Sequence, residues 1–424
     1  MFSKSLQMQV ISPNWKEKYY HWLICFLGLV TLIIVNGLTT TSLSVFDKAF
    51  LNEFHWQREE LKLRESITNG VTFFFIFISG MIIDRIRVKK MLLFGSLVLS
   101  IALLGYSFIE NRIQVYLVHL LLGIALITAG SIPCVILVST WFQDKKGLAI
   151  GILLTGTSLG SALFSLFNGY LLREFGWRIA FQILAIFPTI LFFIILIFIR
   201  STPIEIGLNP FQTNRQSDNI ESSDLLNQGL SYLEATKTHL FWLICVCGFF
   251  TFYSLVGIIA NLFLHLTGLG FSEKEAGYFL FLYFVIAFIG KLLISTFTDY
   301  FKPYFVFSIC CIGMIIGCLG LALMDKNYIL ISIIIMALSW GGIYSLYNLL
   351  TVKIFGLKAA GKINGTISMF EGGGALIGPF LMGYIFSCNQ SYQLGFFINA
   401  VLMGLVFFFS LKFKPYVKKI NDSI

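Results

Sequence analysis

Charge is scarce in this chain: only 12% of its 424 residues are Asp, Glu, Lys or Arg, about half the share found in a soluble domain. With 57% hydrophobic and 16% aromatic residues, the apolar surplus exceeds what a core in water can hide, so the solvent is a bilayer. Short alternating segments are missing as well, which excludes a closed β-barrel; the apolar runs are about 20 residues long, the length of a membrane-crossing helix. Clusters of His, Asp or Cys at catalytic spacing are absent. Nothing therefore points to an enzyme, and no cofactor or resident metal is expected. The eight cysteines lie in or at the ends of apolar runs with no disulfide or zinc spacing, Cys245-x-Cys247 being too close. They read as small hydrophobes. A cleavable leader is not evident either, and the first apolar stretch is expected to remain as an anchor.

What charge there is has a pattern. The net +9 raises the question of nucleic acid, but its placement answers it. Of the 30 Lys and Arg, 20 fall in segments assigned to one side of the membrane and 9 to the other, with Lys291 inside a span. That bias sets orientation by the positive-inside rule and puts both termini in the cytoplasm. Usage rich in Phe, Ile, Lys and Asn suggests an AT-rich bacterial genome, hence a multi-pass protein of the inner membrane.

Twelve spans are expected near 20–46, 61–83, 90–109, 113–140, 147–172, 177–199, 238–266, 275–298, 303–324, 328–352, 361–386 and 392–412. Short connections make successive helices antiparallel neighbours. One long connection interrupts them: from Phe211 to Gln228 the chain is rich in Asn, Gln, Ser and Asp and cannot bury a core. It divides the chain into a bundle at 1–200, a cytoplasmic linker at 201–237 and a second bundle at 238–424. Two landmarks repeat across that divide. Asp84 is echoed by Asp299, with Lys302 following, at an offset of 215 residues, and Gly147-x-x-x-Gly151 by Gly361-x-x-x-Gly365 at 214. A shared offset indicates duplicated six-helix halves. The glycines of the fifth and eleventh spans (Gly147, Gly151, Gly156 and Gly160, then Gly361, Gly365 and Gly372 to Gly374) suit close helix packing. They equally suit helices that slide when the halves rock.

The run Gly80-Met-Ile-Ile-Asp84-Arg85-Ile-Arg87-Val-Lys89-Lys90 after the second span resembles the signature loop of the major facilitator superfamily, with Arg87 where that pattern has glycine. Trp141-Phe142 with Lys146-Gly147, Gly176-Trp177-Arg178, and Thr202-Pro203-Ile-Glu205-Ile-Gly207 resemble its monocarboxylate-porter and oxalate/formate-exchanger branch. The resemblance implies an all-α membrane fold of two pseudo-symmetric six-helix bundles. It also implies a monomeric secondary transporter working by alternating access, with substrate held near the midplane between the bundles. Gly80, Asp84, Arg85, Arg87, Lys89 and Asp299 would then gate the cytoplasmic side. The fifth span reads Gly156-Thr-Ser-Leu-Gly160 and lacks the Gly-Pro-x-x-Gly-Gly of many drug/proton antiporters, which favours uptake over drug export.

Ionisable residues deep in a span are costly, and two stand out: Lys291 in the eighth and Glu371 in the eleventh. Each lies four residues to the cytoplasmic side of its span's centre, about 6 Å from the midplane, so the two can meet. Gly290-Lys291 also resembles the Gly-Arg/Lys pair with which this branch contacts a substrate carboxylate. Glu371 stands where an oxalate/formate exchanger would carry a second cation. An acid there disfavours a small dianion and suits either a substrate with an amine or a coupled proton; a structural Lys291–Glu371 pair is the bland alternative. Asn36 and Thr40, Tyr253 and Asn261, and Trp340, Tyr344 and Asn348 recur at four- or eight-residue spacing on cavity-lining spans. Substrate contact and ordinary interhelical bonding both fit them. Arg64 and Glu65 read as an interfacial pair rather than an outer gate, and His119 and His265 as interfacial. The expectation is a carrier of a small carboxylate-bearing metabolite (a monocarboxylate or an amino acid) moved with a proton. The alternatives are an organic-anion exchanger, a carrier of polycarboxylates such as siderophores, and a sensor that does not transport.

Overall fold

The computed structural model describes residues 15–83, 87–211, 229–356 and 358–413. The expected residues Asp84 and Arg85 lie outside the described residues, as do the surroundings of Gly80 and the side chains of Asp299 and Asn348. The described chain is helical throughout, apart from turns, short 3-10 segments and two isolated bridges.

Fourteen helices follow one another among the described residues: α1 (Trp15–Thr39), α2 (Asp47–Phe54), α3 (Arg58–Ile83), α4 (Val88–Tyr106), α5 (Arg112–Ala129), α6 (Ser131–Trp141), α7 (Lys146–Phe198), α8 (Tyr232–Thr236), α9 (His239–Gly268), α10 (Glu273–Tyr300), α11 (Pro303–Ala322), α12 (Lys326–Phe355), α13 (Ala360–Asn389) and α14 (Gln393–Ser410). Ten stretches among them are long and apolar enough to cross a membrane. One of these, α7, is two spans: its 53 residues double back at Gly176, whose φ of 72° is left-handed and cheap only for glycine. The 26-residue helix α3, uncharged from Ser66 to Ile83, is long enough to be a further span.

Three boundaries differ from the sequence expectation. The first span ends at Thr39, and the chain then turns through a 3-10 segment, Thr41–Phe46, into α2. The fourth span is not one helix but α5 and α6, broken at extended Gly130. Pro133 accounts for the break: it has no N–H to give residue 129, and in an unbroken helix its ring would collide with that carbonyl. The fifth and sixth spans, expected as separated elements, join directly at Gly176.

Helix starts follow local chemistry. Ser272 with Glu275 closes a capping box on α10, Thr238 caps α9 through Phe241 N, Asn111 caps α5 through Gln114 N, and Pro303 opens α11. A second capping box, Ser231 with Glu234, starts α8 outside the spans; hydrogen bonds from the Ser231 backbone and hydroxyl hold the Glu234 carboxyl below the usual range.

Buried apolar side chains gather into two cores. One draws on residues from Ile24 to Ile199, the other on Ala235 to Phe413 with Val45 and Ala162 joining it. Glycine sets the closest crossings in both. A methyl group on Gly37 would stand 2.8 Å from the Gly160 carbonyl oxygen, which brings α1 against α7; one on Gly257 would stand 2.9 Å from that of Gly378, which brings α9 against α13. Each end of the long connection is pinned: Phe211 N donates to Trp141 O at 2.9 Å, and Leu230 N to Phe355 O at 2.8 Å.

Candidate functional site

Contacts between the two cores gather on the side opposite the long connection, hereafter the loop side. There Lys48 of α2 pairs with Glu273 of α10 at 3.1 Å, and Glu59 of α3 accepts from Ser387 of α13. The Arg58 guanidinium lies 3.4 Å from the Phe386 ring centroid and 5.1 Å from that of Tyr392. Lys62 Nζ donates to the Ala260 carbonyl of α9, and Asn69 Nδ2 to the Ala375 carbonyl at 3.2 Å. On the linker side, Gly147, Gly151, Gly361 and Gly365 are exposed and meet no atom within 4 Å of an added Cβ. The duplicated glycine pair therefore does not pack helices in this conformation. Among the described residues, the contacts named between the cores lie on the loop side, and these four glycines meet nothing on the linker side; the space between the cores there is called the cleft below.

Lys291 hangs into this cleft from α10 and reaches the other core. Its ammonium donates to Ser158 Oγ at 2.7 Å and Thr157 Oγ1 at 3.1 Å, both on α7, and sits 4.7 Å from the Tyr344 ring centroid. The salt bridges among the described residues include no Lys291–Glu371 pair. Glu371 is half-buried on α13; its Cγ would lie 3.1 Å from a Cβ on Gly248, so the absent side chain there makes its room. Beside Lys291, Tyr344 forms an aromatic corner with Phe252 and Trp340, the centroids of Phe252–Trp340 and Trp340–Tyr344 both being 5.5 Å apart. All three rings are half-buried.

The remaining expected positions divide. Thr40 faces a small cavity beside Glu65, and Asn36 Nδ2 is buried with no hydrogen-bond partner among the described residues. Tyr253 is buried. Asn261 is fully buried and braces helices: Nδ2 donates to Gly257 O at 2.9 Å and Pro379 O at 3.3 Å, and Oδ1 accepts from Tyr392 at 3.0 Å. In the loop after α3, Arg87 lies 3.8 Å from Glu205, while Lys89 donates to Leu196 O at 2.7 Å and through its backbone to Ser201 Oγ at 3.2 Å. Those partners belong to the same core, so neither residue bridges the cleft here.

Two expectations need correction. Arg64 and Glu65 are a pair, 3.9 Å apart, but not an interfacial one. Arg64 is fully buried; it pairs with Asp47 and donates to Tyr106 at 3.2 Å, and Lys62 bridges Asp47 to Glu65, the latter at 2.8 Å. His119 is not interfacial either: it is buried between Tyr106 and Thr68 Oγ1, the latter at 2.7 Å. His265 is buried against Tyr392 and Phe396. Arg64 is covered by α2 through Asp47 and the Phe50 ring, 5.2 Å away, whereas Tyr392 and Phe396 cover His265. Sequence reading missed Asp47, Lys62, Thr157 and Ser158. The alternation Lys62-x-Arg64-Glu65 opening an apolar helix was the available signal for Lys62; two hydroxyls among many in apolar spans carried none.

A family model of the Major Facilitator Superfamily matches residues 27–379, and the chain belongs to that superfamily. Its curated relatives include monocarboxylate transporters. Monocarboxylate transporter 14 of Homo sapiens is 28% identical over 165 residues, 38% of this chain and 32% of that protein. Monocarboxylate transporter 12 of Xenopus laevis is 21% identical over 409 residues, 91% of this chain and 88% of that protein. The match to the human relative thus spans about a third of its length. Among solved structures, a bacterial homologue of the human lysosomal transporter Spinster, in an inward-facing and unoccupied conformation, superposes with a TM-score of 0.72 at 16% identity, over 95% of this chain and 98% of that one. The chain has the major facilitator fold.

Proposed function

We propose that this protein carries a small carboxylate-bearing metabolite, a monocarboxylate or an amino acid, across a bacterial inner membrane together with a proton. The bundles at 1–200 and 238–424 would rock about the cleft, joined by the cytoplasmic linker at 201–237, with both termini in the cytoplasm. One observation carries the reading: the Lys291 ammonium crosses from α10 to Ser158 and Thr157 of α7 inside the cleft. A carboxylate that reaches this ammonium gains a bond between two ions, about twice as strong as one to a neutral acceptor. Glu371 receives the proton or the amine. The relatives named monocarboxylate transporters agree with this class of solute.

Proteoliposome flux tests it. Purified protein is screened with organic acids and amino acids, and candidates are then followed with and without a pH gradient. Accumulation of a carboxylate driven by the gradient supports the reading. Binding with no flux indicates a sensor, and counterflow without net accumulation an exchanger; either result overturns the proton-coupled carrier.

A further inference from the structure

A cavity of about 370 Å³ opens between α7 of the first core and α10 of the second, lined by neither Lys291 nor Glu371. Its mouth carries Arg173, three residues before α7 doubles back at Gly176, and Lys274 in the first turn of α10. Both cations therefore stand at loop-side helix ends. Away from them the lining turns apolar or small, with Leu166, Leu172, Gly169 and Gly277. Ser165 lies eight residues from Arg173, about 12 Å further along the helix. Close packing needs neither glycine: a methyl group on Gly169 would meet Val45 at 3.9 Å, and one on Gly277 the Ser165 carbonyl oxygen at 3.9 Å, both ordinary contacts. Their bare backbones keep a slot open instead. Leu166 and Tyr170 on its wall are 40% and 49% exposed, so the slot opens sideways onto the surface that faces lipid.

The carboxylates at the mouth are spent and the cations are not. Glu273 takes Lys48 at 3.1 Å, and Glu174 takes the Arg173 Nε at 3.0 Å. Glu275 is turned into the capping box with Ser272. The terminal amino groups of Arg173 and the Lys274 ammonium have no hydrogen-bond or ion-pair partner among the described residues. Lys48, Arg173 and Lys274 thus face Glu174 and Glu273, which leaves one positive charge over. A hollow open to the bilayer fills with lipid, because an empty one forfeits the dispersion contacts of its walls. A phosphodiester brings one negative charge to the level of these helix ends. We propose that this crevice binds an anionic phospholipid, its phosphate held by Lys274 and Arg173 and one acyl chain lying over Gly169 and Gly277. Since the two cations belong to different cores, the bound lipid ties α7 to α10 beside the Lys48–Glu273 pair and supports the loop-side closure. The inference rests on the membrane-spanning fold and on neither the solute nor Lys291.

The test is thermal unfolding of the purified full chain in phosphatidylcholine nanodiscs doped with increasing phosphatidylglycerol at constant ionic strength. A saturable rise in Tm is expected, since a ligand that binds only the folded state stabilises it. Lys274→Gln and Arg173→Gln should each raise the phosphatidylglycerol fraction at half effect about fivefold, the worth of one basic residue at an anionic surface. Both residues are exposed, so these variants keep the fold. Gly277→Leu fills the slot, leaves both cations in place and should blunt the rise as well. Lys237→Gln, exposed just after α8, should not. A flat Tm, or a rise undiminished in the two cation variants, overturns the site. An equal rise with phosphatidylethanolamine overturns the anionic assignment, and an equal rise with inorganic phosphate in plain phosphatidylcholine discs overturns the lipid.

Discussion

Lys291 Nζ stands 2.7 Å from Ser158 Oγ, a hydrogen bond from α10 of the second core to α7 of the first. It joins the bundles within the cleft by a contact that neither needs for its own packing. Replacing Lys291 with Ala should therefore leave the protein folded but weaken carboxylate binding about 10- to 100-fold, the loss of one hydrogen bond to a charged group. Uptake at normal KM in proteoliposomes would remove Lys291 from the binding site.

Glu371 packs closely on Gly248, its Cγ 3.1 Å from where a Cβ would stand. Glu371→Gln keeps the shape and removes the titrating group. Gradient-driven accumulation should disappear while exchange of labelled for unlabelled solute continues. Accumulation that persists unchanged would assign coupling to another residue.

The Arg58 guanidinium on the Phe386 ring is part of the loop-side closure. A cation–π contact of this kind contributes about 0.5–2 kcal/mol. Arg58→Ala should shift the equilibrium about 2- to 30-fold toward a conformation open on the loop side. Spin labels on Cys388, the exposed cysteine among the described residues, and on Glu110→Cys should report a longer distance population in the variant than in the parent.

Asp47 accepts from both Lys62 and Arg64 with no exposure of its own. Asp47→Ala strips a buried network of one partner, and such losses cost about 3–5 kcal/mol. A clear fall in the thermal midpoint should follow. A midpoint within a degree of the parent would mean that water reaches these charges.

Gly151 and Gly160 lie on the same helix in opposite situations. An added methyl group at Gly160 collides with the Ile33 carbonyl, whereas at Gly151 it meets nothing. Gly160→Ala should destabilise the protein. Gly151→Ala should leave Tm unchanged or raise it by the helix preference of alanine over glycine, about 0.5–1 kcal/mol. Gly151→Leu should retain stability but slow flux, because the linker side must close over that face; normal flux would place the face outside the closure.

Composition and the length of the apolar runs were enough to establish a helical membrane protein, because lipid leaves the backbone no partner but itself. The repeated offset of Asp84 and Asp299, and of the glycine pairs, led to the expectation of duplicated halves, and the loop around Arg87 and Lys89 pointed to the family that the family model shows. Lys291 and Glu371 were legible because a charge among apolar residues is conspicuous in any single sequence. Their neighbours were not. Ser158 and Thr157 are 133 and 134 residues from Lys291, and no local pattern marks a hydroxyl whose partner lies on another bundle. The burial of Arg64 and His119 was hidden for the same reason: it depends on where Asp47 and Tyr106 come to lie, and hydropathy along the chain does not record it. Which residues tie the two cores together likewise belongs to the tertiary structure alone, since partners such as Lys62 and Ala260, or Asn69 and Ala375, are far apart in sequence.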